Sequence, residues 1–282
     1  LRFHPFGLPN EVSTNSLTCY SPPVPDGLPC DPLSRTASQP TPGVWEVTVE
    51  ARRTSDVEMA PFTLTASILG ASVSPNPDVI PSVTEDVPVS RSYTMTNQLG
   101  PFTGRAIGTT LGSARRATPT IANLAQQQFP VVVTPGSTSL RATIGSPSDP
   151  AADLDLFVFN CTTGTCVLAG QNADGDSEES VTINNPAAGN WVVLVDGFAV
   201  PAGTTTYNYV DVFVNPAFGS VSVTDANALR STGSTWVVPG TVNAASAPAS
   251  GRVLLGRVEV RTDANILVGS GDVVVEAVVP PA

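Results

Sequence analysis

The feature that most restricts the fold is an alternation of apolar and polar residues within residues 153–214. In DLDLFVFN (Asp153–Asn160) and NWVVLVD (residues 190–196), an apolar side chain occupies every second position. A period of two directs one set of side chains to a single face of a sheet, whereas a helix needs a period of 3.6. The PAAG sequence before Trp191 has the residue types of a turn. We therefore expect an antiparallel β unit here.

The same pattern occurs twice in the chain. Apolar, proline and glycine positions of the first occurrence recur 146 positions later: Pro40, Gly43, Trp45, Val47 and Val49 correspond to Pro186, Gly189, Trp191, Val193 and Val195. The strand before each set also matches, because Leu1, Phe3 and Phe6 correspond to Leu154, Leu156 and Phe159. A repeat of this length indicates two copies of one folded unit and not a solenoid.

Each copy is followed by short alternating segments separated by Gly, Pro and Asn, which is typical of a β-sandwich. We therefore predict an all-β chain of tandem, duplicated β-sandwiches of the jelly-roll or immunoglobulin-like kind. The predicted divisions are residues 1–70 (first copy), 71–116 (small sandwich), 117–128 (linker or short helix), 129–216 (second copy) and 217–282 (C-terminal sandwich). Residues 129–152 have no counterpart in the first copy, so we expect its missing strands to come from upstream or from a neighbouring subunit.

Charge and hydropathy exclude several classes of partner. The formal net charge is −11, and all 13 basic residues are arginines. Nucleic acids and anionic membrane surfaces bind basic patches, so we expect neither as a partner. No stretch approaches the ~18–20 apolar residues of a membrane-spanning helix.

The four cysteines form two close pairs, Cys19 with Cys30 and Cys161 with Cys166. A zinc site would need tighter Cys-x-x-Cys spacing or histidine ligands, and His4 is the only histidine. Two local disulfides are therefore predicted, and they indicate an oxidising, extracellular compartment.

The residues for catalysis are lacking. A Ser–His–Asp triad needs a histidine base, and the position of His4 beside Pro5 in an alternating strand favours a structural role. With no lysine, Schiff-base chemistry is excluded. Nothing in the sequence singles out a pair of acids for glycoside cleavage. We expect this chain not to be an enzyme.

Calcium is the metal that the sequence suggests. Asp153 and Asp155 lie two residues apart and share a strand face, and Asp196 follows the Trp191 strand. Carboxylate clusters suit calcium, although solvated turn acids are the commoner arrangement. For Trp45 and Trp191, an alternating strand favours core anchors over sugar-binding platforms.

Together, DLDLFVFN, NPAAGNWVVLVDGF (residues 185–198) and TYNYVDVFV (residues 206–214) resemble the bacterial pre-peptidase C-terminal domain, a small β-sandwich of secreted proteases. The resemblance covers residues 129–214 well and residues 1–69 in degraded form. Flanking segments such as GRVLLGRVEVRT (residues 251–262) resemble the C-terminal region of large actinobacterial subtilisin-like serine peptidases. Those proteins would carry their catalytic Asp, His and Ser in an upstream domain.

Two functions follow from these observations. The first is a non-catalytic accessory C-terminal region of a secreted subtilisin-like serine peptidase, which aids stability, secretion or attachment to a protein or polysaccharide substrate. Its partner would be the upstream catalytic portion of the parent chain. The alternative is an extracellular structural, fibre-forming or adhesion protein that is assembled by strand complementation between subunits.

Overall fold

The computed structural model describes residues 2–5, 13–14, 45–48, 70–173 and 175–281. The chain divides into two compact units, Leu1–Ser67 and Ile68–Ala282. Apart from one turn of 3-10 helix, Pro216–Phe218, every described regular element is a β-strand. The predicted all-β class is therefore confirmed. Within the described residues, no helix is long and apolar enough to cross a membrane.

The described part of the first unit is a small antiparallel sheet. Its strands are β1 (Arg2–Pro5), β2 (Ser13–Thr14) and β3 (Trp45–Thr48), in the order β2-β1-β3. Phe3 lies opposite Val47 in the pairing of β1 with β3. The predicted Cys19–Cys30 disulfide falls outside the described residues.

The second unit contains the remaining strands, most of which alternate buried and exposed side chains. Those before the second copy are β4 (Ala71–Ser74), β5 (Asp78–Ile80), β6 (Val83–Thr84), β7 (Val89–Asn97), β8 (Phe102–Gly108), β9 (Gly112–Ala117) and β10 (Thr120–Ala122). Those of the second copy are β11 (Gln126–Val133), β12 (Ser139–Gly145), β13 (Asp153–Asn160), β14 (Val167–Asn172), β15 (Ser180–Asn184), β16 (Gly189–Ala199), β17 (Thr204–Thr206) and β18 (Asn208–Val214). The last are β19 (Gly219–Val223), β20 (Ala228–Arg230), β21 (Thr235–Ala244), β22 (Val253–Thr262), β23 (Leu267–Val275) and β24 (Val278–Val279).

The second copy is built from two facing sheets. One is four-stranded, in the order β11-β16-β13-β14, and the other includes β15-β12-β18 within a nine-stranded sheet. The inward side chains of β13 and β16 are fully buried, among them Leu156 and Val193. They belong to one hydrophobic cluster with Leu140 of β12 and Val181 of β15. The alternation read from the sequence thus supplies the apolar layer between the sheets.

Strand order agrees between the two copies. In the first copy β1 lies between β2 and the tryptophan strand β3. In the second copy β13 lies between β14 and the tryptophan strand β16. The registers differ, because Phe3 lies opposite Val47 whereas its counterpart Leu156 lies opposite Val195, the counterpart of Val49. A shift of two residues keeps every side chain on its own sheet face.

The segments that flank the second copy share their sheets. A four-stranded sheet has the order β19-β21-β7-β4, and the nine-stranded sheet joins β9 to both β18 and β22. Strands from residues 71–116 and from residues 217–282 therefore occur together in both sheets, although the sequence assigned them to two separate sandwiches. The two segments therefore share one hydrophobic cluster, which contains Tyr93 and Met95 of the first and Val242 and Val258 of the second.

Residues 117–128 contain no helix. They form β10 and the start of β11, joined by a turn in which the Ala125 amide donates to the Ala122 carbonyl at 3.1 Å. β10 pairs with β17, and Ile121 is 1% exposed in the core. Packing of Ile121 and cross-strand pairing override the helix propensity of the Ala and Gln residues.

Candidate functional site

The predicted calcium ligands lie near one end of the four-stranded sheet. Asp155 of β13 and Asp196 of β16 are direct cross-strand partners, whereas Asp153 lies opposite Ala199 beyond a register irregularity. Gln126 Nε2 donates to Asp196 Oδ2 at 3.2 Å. The sheet therefore brings two of the three predicted acids side by side.

These acids do not complete a metal centre within the part of the chain that the structure describes. No group of three or more His, Cys, Asp or Glu side chains there could hold a metal ion. Asp174, in the acid-rich loop before β15, lies outside the described residues. Calcium at Asp153, Asp155 and Asp196 stays a prediction.

An open cavity of about 360 Å³ lies beside this acid-rich loop. Its lining residues are mostly polar or small and are Thr143, Ile144, Gly145, Ser146, Glu178, Glu179, Ser180, Asn208 and Val210. The Ser146 amide donates to Glu178 Oε1 at 2.6 Å, and a Cβ added at Gly145 would lie 2.2 Å from Glu178 Oε2. A side chain at position 145 would therefore displace the Glu178 carboxylate from its present position. Sequence reasoning missed this cavity, because it is formed by segments more than 30 residues apart.

A buried ionic cluster ties the second copy to the C-terminal segment. Asp211 of β18 is 0% exposed, and its carboxylate accepts hydrogen bonds from Arg252 Nη2 and from the Tyr209 hydroxyl, the latter at 3.0 Å. Arg252 also donates from Nε to Ser113 Oγ at 2.7 Å and from Nη2 to the Ser113 carbonyl at 2.9 Å. One guanidinium therefore joins β9, β18 and the residue preceding β22.

Burial changes the protonation of this cluster. Desolvation raises the pKa of Asp211, and the charges of Arg252 and Arg115 oppose that rise. Desolvation also raises the pKa of Tyr209, with a further contribution from the charge of Asp211. The cluster is enclosed and makes reciprocal hydrogen bonds, so its geometry is that of a structural tie and not of a site open to substrate.

A second cluster has the same chemistry. Asp78 of β5 is 2% exposed and pairs with Arg91 of β7 through both Nε and Nη2. The Tyr93 hydroxyl donates to Asp78 Oδ2 at 3.0 Å, and burial raises the pKa of Tyr93. The cluster joins β5 of the nine-stranded sheet to β7 of the facing sheet, and nothing in the sequence pattern indicated it.

Two local predictions are confirmed. Cys161 and Cys166 form a disulfide at the β13–β14 turn. Trp191 is 2% exposed, and its Nε1 donates to the Ala187 carbonyl at 2.9 Å. Trp191 is therefore a core anchor, and its indole N–H stabilises the PAAG turn through this hydrogen bond.

The described residues contain no Ser–His–Asp triad. The only histidine, His4, lies in β1 of the first unit, and Ile68–Ala282 has neither histidine nor lysine. Both described cysteines are in the disulfide. A serine of this unit therefore lacks the usual nitrogen base for nucleophilic attack.

Among proteins of known sequence, the chain is similar to Pyrolysin from Pyrococcus furiosus, with 25% identity over 198 residues. The similarity covers 66% of this chain but 14% of Pyrolysin, so the chain spans only a small part of that protein. No protein-family model matches the chain.

Solved structures give weaker likenesses. PliG, a periplasmic inhibitor of g-type lysozyme from Aeromonas hydrophila, aligns at 16% identity with a TM-score of 0.28, over 36% of this chain and 87% of that one. The Yersinia pseudotuberculosis-derived mitogen aligns at 15% identity with a TM-score of 0.30, over 37% and 87%. The Bacillus licheniformis lipase BlEst2 in propeptide form aligns at 10% identity with a TM-score of 0.26, over 58% and 40%. TM-scores this low do not establish a shared fold.

Proposed function

We propose that this chain is a non-catalytic accessory region of a secreted subtilisin-like serine peptidase, where it stabilises the enzyme, aids its secretion or attaches it to a substrate or surface. The similarity to Pyrolysin, a subtilisin-like peptidase, carries the proposal, because it extends over 66% of the chain. The resemblance of residues 129–214 to pre-peptidase C-terminal domains agrees with this proposal, although no protein-family model matches the chain.

The chemistry of the second unit supports an accessory role. Serine peptidases need a general base beside the nucleophile, and Ile68–Ala282 contains no histidine. The catalytic Asp, His and Ser would therefore come from another part of the parent protein. This chain would supply a rigid β-structure instead, cross-linked by the Cys161–Cys166 disulfide and by the two buried ionic clusters.

The Cys161–Cys166 disulfide also supports an extracellular location, because such bonds persist in oxidising compartments. The net charge of −11 favours solubility and disfavours attachment to nucleic acid.

Intact mass and N-terminal sequencing of the protein from its native source test this proposal. We expect a longer chain, or a co-purifying fragment, that carries the catalytic Asp, His and Ser. We also expect residues 1–282 alone to hydrolyse neither casein nor a chromogenic peptide, with the full-length protein as the active control. Hydrolysis by residues 1–282 alone, or a native protein with no peptidase portion, would contradict the proposal.

A further inference from the structure

The outward surface of the nine-stranded sheet concentrates positive charge in an acidic chain. We call the charged residues on this side the arginine face: Arg105 of β8, Arg116 of β9, Arg141 of β12, Arg257, Glu259 and Arg261 of β22, and Asp272 of β23. Val210 and Val212 of β18 point outward, because they alternate with the buried core residue Tyr209. Arg116 and Arg141 are their cross-strand partners and therefore share that side. Five arginines against two acids give this face a net charge of +3, whereas the whole chain carries −11.

Three of the five arginines have no carboxylate of their own. The other two form ion pairs on the face itself, at 2.9 Å and 2.7 Å: Arg257 with Asp272 and Arg261 with Glu259. Within the part of the chain that the structure describes, the side chains of Arg105, Arg116 and Arg141 make no hydrogen bond or ion pair. The two buried ionic clusters show that arginines elsewhere in this unit do receive a carboxylate.

Arg141 is the half-buried member of these three. It lies in a cross-strand row with Val212, Ala114 and Val253, which belong to a small aliphatic cluster on this side of the sheet. Burial lowers the pKa of Arg141, the charge of Arg257 lowers it further, and the two acids of the face offset this only in part. An anion that approached Arg141 from outside the sheet would therefore stabilise its charge.

The spacing of the unpaired arginines suits an extended anion. Arg105 lies opposite Arg261 of β22, eight residues along that strand from Val253, which is level with Arg141. At ~3.4 Å per residue this separation is about 27 Å. One phosphate or sulfate ion cannot reach both ends, whereas a chain that carries several carboxylates can.

We propose that the arginine face binds an extended acidic polypeptide segment, whose carboxylates pair with Arg105, Arg116 and Arg141 and whose apolar side chains lie against the aliphatic residues between them. Charge complementarity selects an acidic partner. Aliphatic outward residues such as Val210 and Ile107 suit the apolar side chains of a polypeptide.

Other polyanions fit this face less well. No aromatic residue occupies an outward position in the described strands of this sheet. Sugar rings and nucleic-acid bases bind proteins by stacking on aromatic side chains, which this face does not offer. The net charge of −11 also repels the closely spaced phosphates of a nucleic acid.

Fluorescence anisotropy of residues 1–282 with a labelled, end-blocked peptide tests the proposal. The peptide repeats Glu-Val-Ser over about 12 residues, which span about 40 Å when extended. We expect it to bind at about 10 mM salt and to bind more weakly at about 150 mM, where the Debye length falls to about 8 Å. A Gln-Val-Ser peptide of the same length should not bind, because it lacks the carboxylates.

Arg116→Gln combined with Arg141→Gln should weaken binding by about tenfold at low salt, because each exposed pair contributes a factor of about 1.4–5 and the half-buried Arg141 more. The matched control combines Val237→Glu with Thr241→Glu, at exposed positions of β21 in a different sheet. This control lowers the net charge by the same amount and should change binding by less than about twofold.

Circular dichroism establishes that each variant is folded, and Arg105→Gln with Arg116→Gln, both at exposed positions, decides the outcome if the Arg141 variant is not. Absence of binding at low salt, equal binding of the Gln-Val-Ser peptide, or an equal loss in both double variants overturns the proposal. Competition by oligogalacturonate or oligothymidylate of the same charge, as strong as that by the unlabelled acidic peptide, also overturns it in favour of a general polyanion surface. The result does not depend on the proposed function.

Discussion

Arg252→Met should strongly destabilise the second unit, because it leaves a buried carboxylate without its main cation. Asp211 is 0% exposed and the Arg252 side chain is 11% exposed. Removing one member of a buried ion pair costs about 3–5 kcal/mol. The Tyr209 hydroxyl and the charge of Arg115 still interact with Asp211, so we expect about 3 kcal/mol. Met retains apolar contact with Phe213, whose ring lies under the guanidinium.

The effect should depend on pH. The pKa of Asp211 is raised above its ordinary value of 3.8, mainly by desolvation, and Arg252 lowers it. A raised carboxyl pKa means that the folded state binds the proton more tightly, so the contribution of Asp211 to stability is fully present below pH 3.8 and is lost as the pH rises through the folded pKa. Loss of Arg252 raises that pKa further. The destabilisation by Arg252→Met should therefore be larger at neutral pH than near pH 4.

Urea unfolding, followed by circular dichroism at several pH values, measures both effects. Arg257→Met is the matched control: the Arg257–Asp272 pair is 2.9 Å long, with side chains 29% and 42% exposed, and exposed pairs contribute about 0–1 kcal/mol. Asp211→Asn added to Arg252→Met should recover part of the loss, because it removes the orphaned charge. A cost below about 1 kcal/mol at neutral pH, or one that does not fall toward pH 4, would refute this reasoning.

Three further predictions concern the second copy. Replacing Cys161 and Cys166 with serine should lower the free energy of unfolding in urea by about 2 kcal/mol, because the bond closes a short loop; an unchanged midpoint would contradict this. Trp191→Ala should lower the free energy of unfolding by about 3–5 kcal/mol in the same assay, because the side chain is buried and donates a hydrogen bond to the Ala187 carbonyl. A decrease of less than about 1 kcal/mol would show that Trp191 is not a core anchor. If calcium binds near Asp155, the thermal midpoint of the wild type should be higher with calcium than with EDTA, and Asp155→Asn should abolish this difference. Identical melting curves of the wild type with calcium and with EDTA would exclude the site.

The strands of the second copy were predictable because their signals are local. DLDLFVFN and NWVVLVD alternate within a few residues, and each becomes a strand, β13 and β16, with its apolar set in the core. The Cys161–Cys166 bond was equally local, closing one turn. The repeat centred on Trp45 and Trp191 indicated two copies of one folded unit, and the order of the described strands agrees between the copies.

The candidate sites were less accessible to sequence reasoning. Asp155 and Asp196 were expected to lie close together and are cross-strand partners. The open cavity lined by Glu178 and the ionic cluster around Asp78 were not anticipated. Their residues come from segments that are distant in the chain and carry no sequence motif.

The sequence by itself determined the alternating strands of the second copy, such as β13 and β16, and which side of each is apolar, since period and turn chemistry depend only on neighbouring residues. Only the tertiary structure decided how the strands combine. Residues 117–128 became strand and turn because β17 offers a pairing edge and Ile121 a place in the core. Asp211 met Arg252, 41 residues away, because β9 lies between β18 and β22. Such contacts arise from long-range strand pairing, whose free energy depends on burying whole sheet faces together and which no short stretch of sequence encodes.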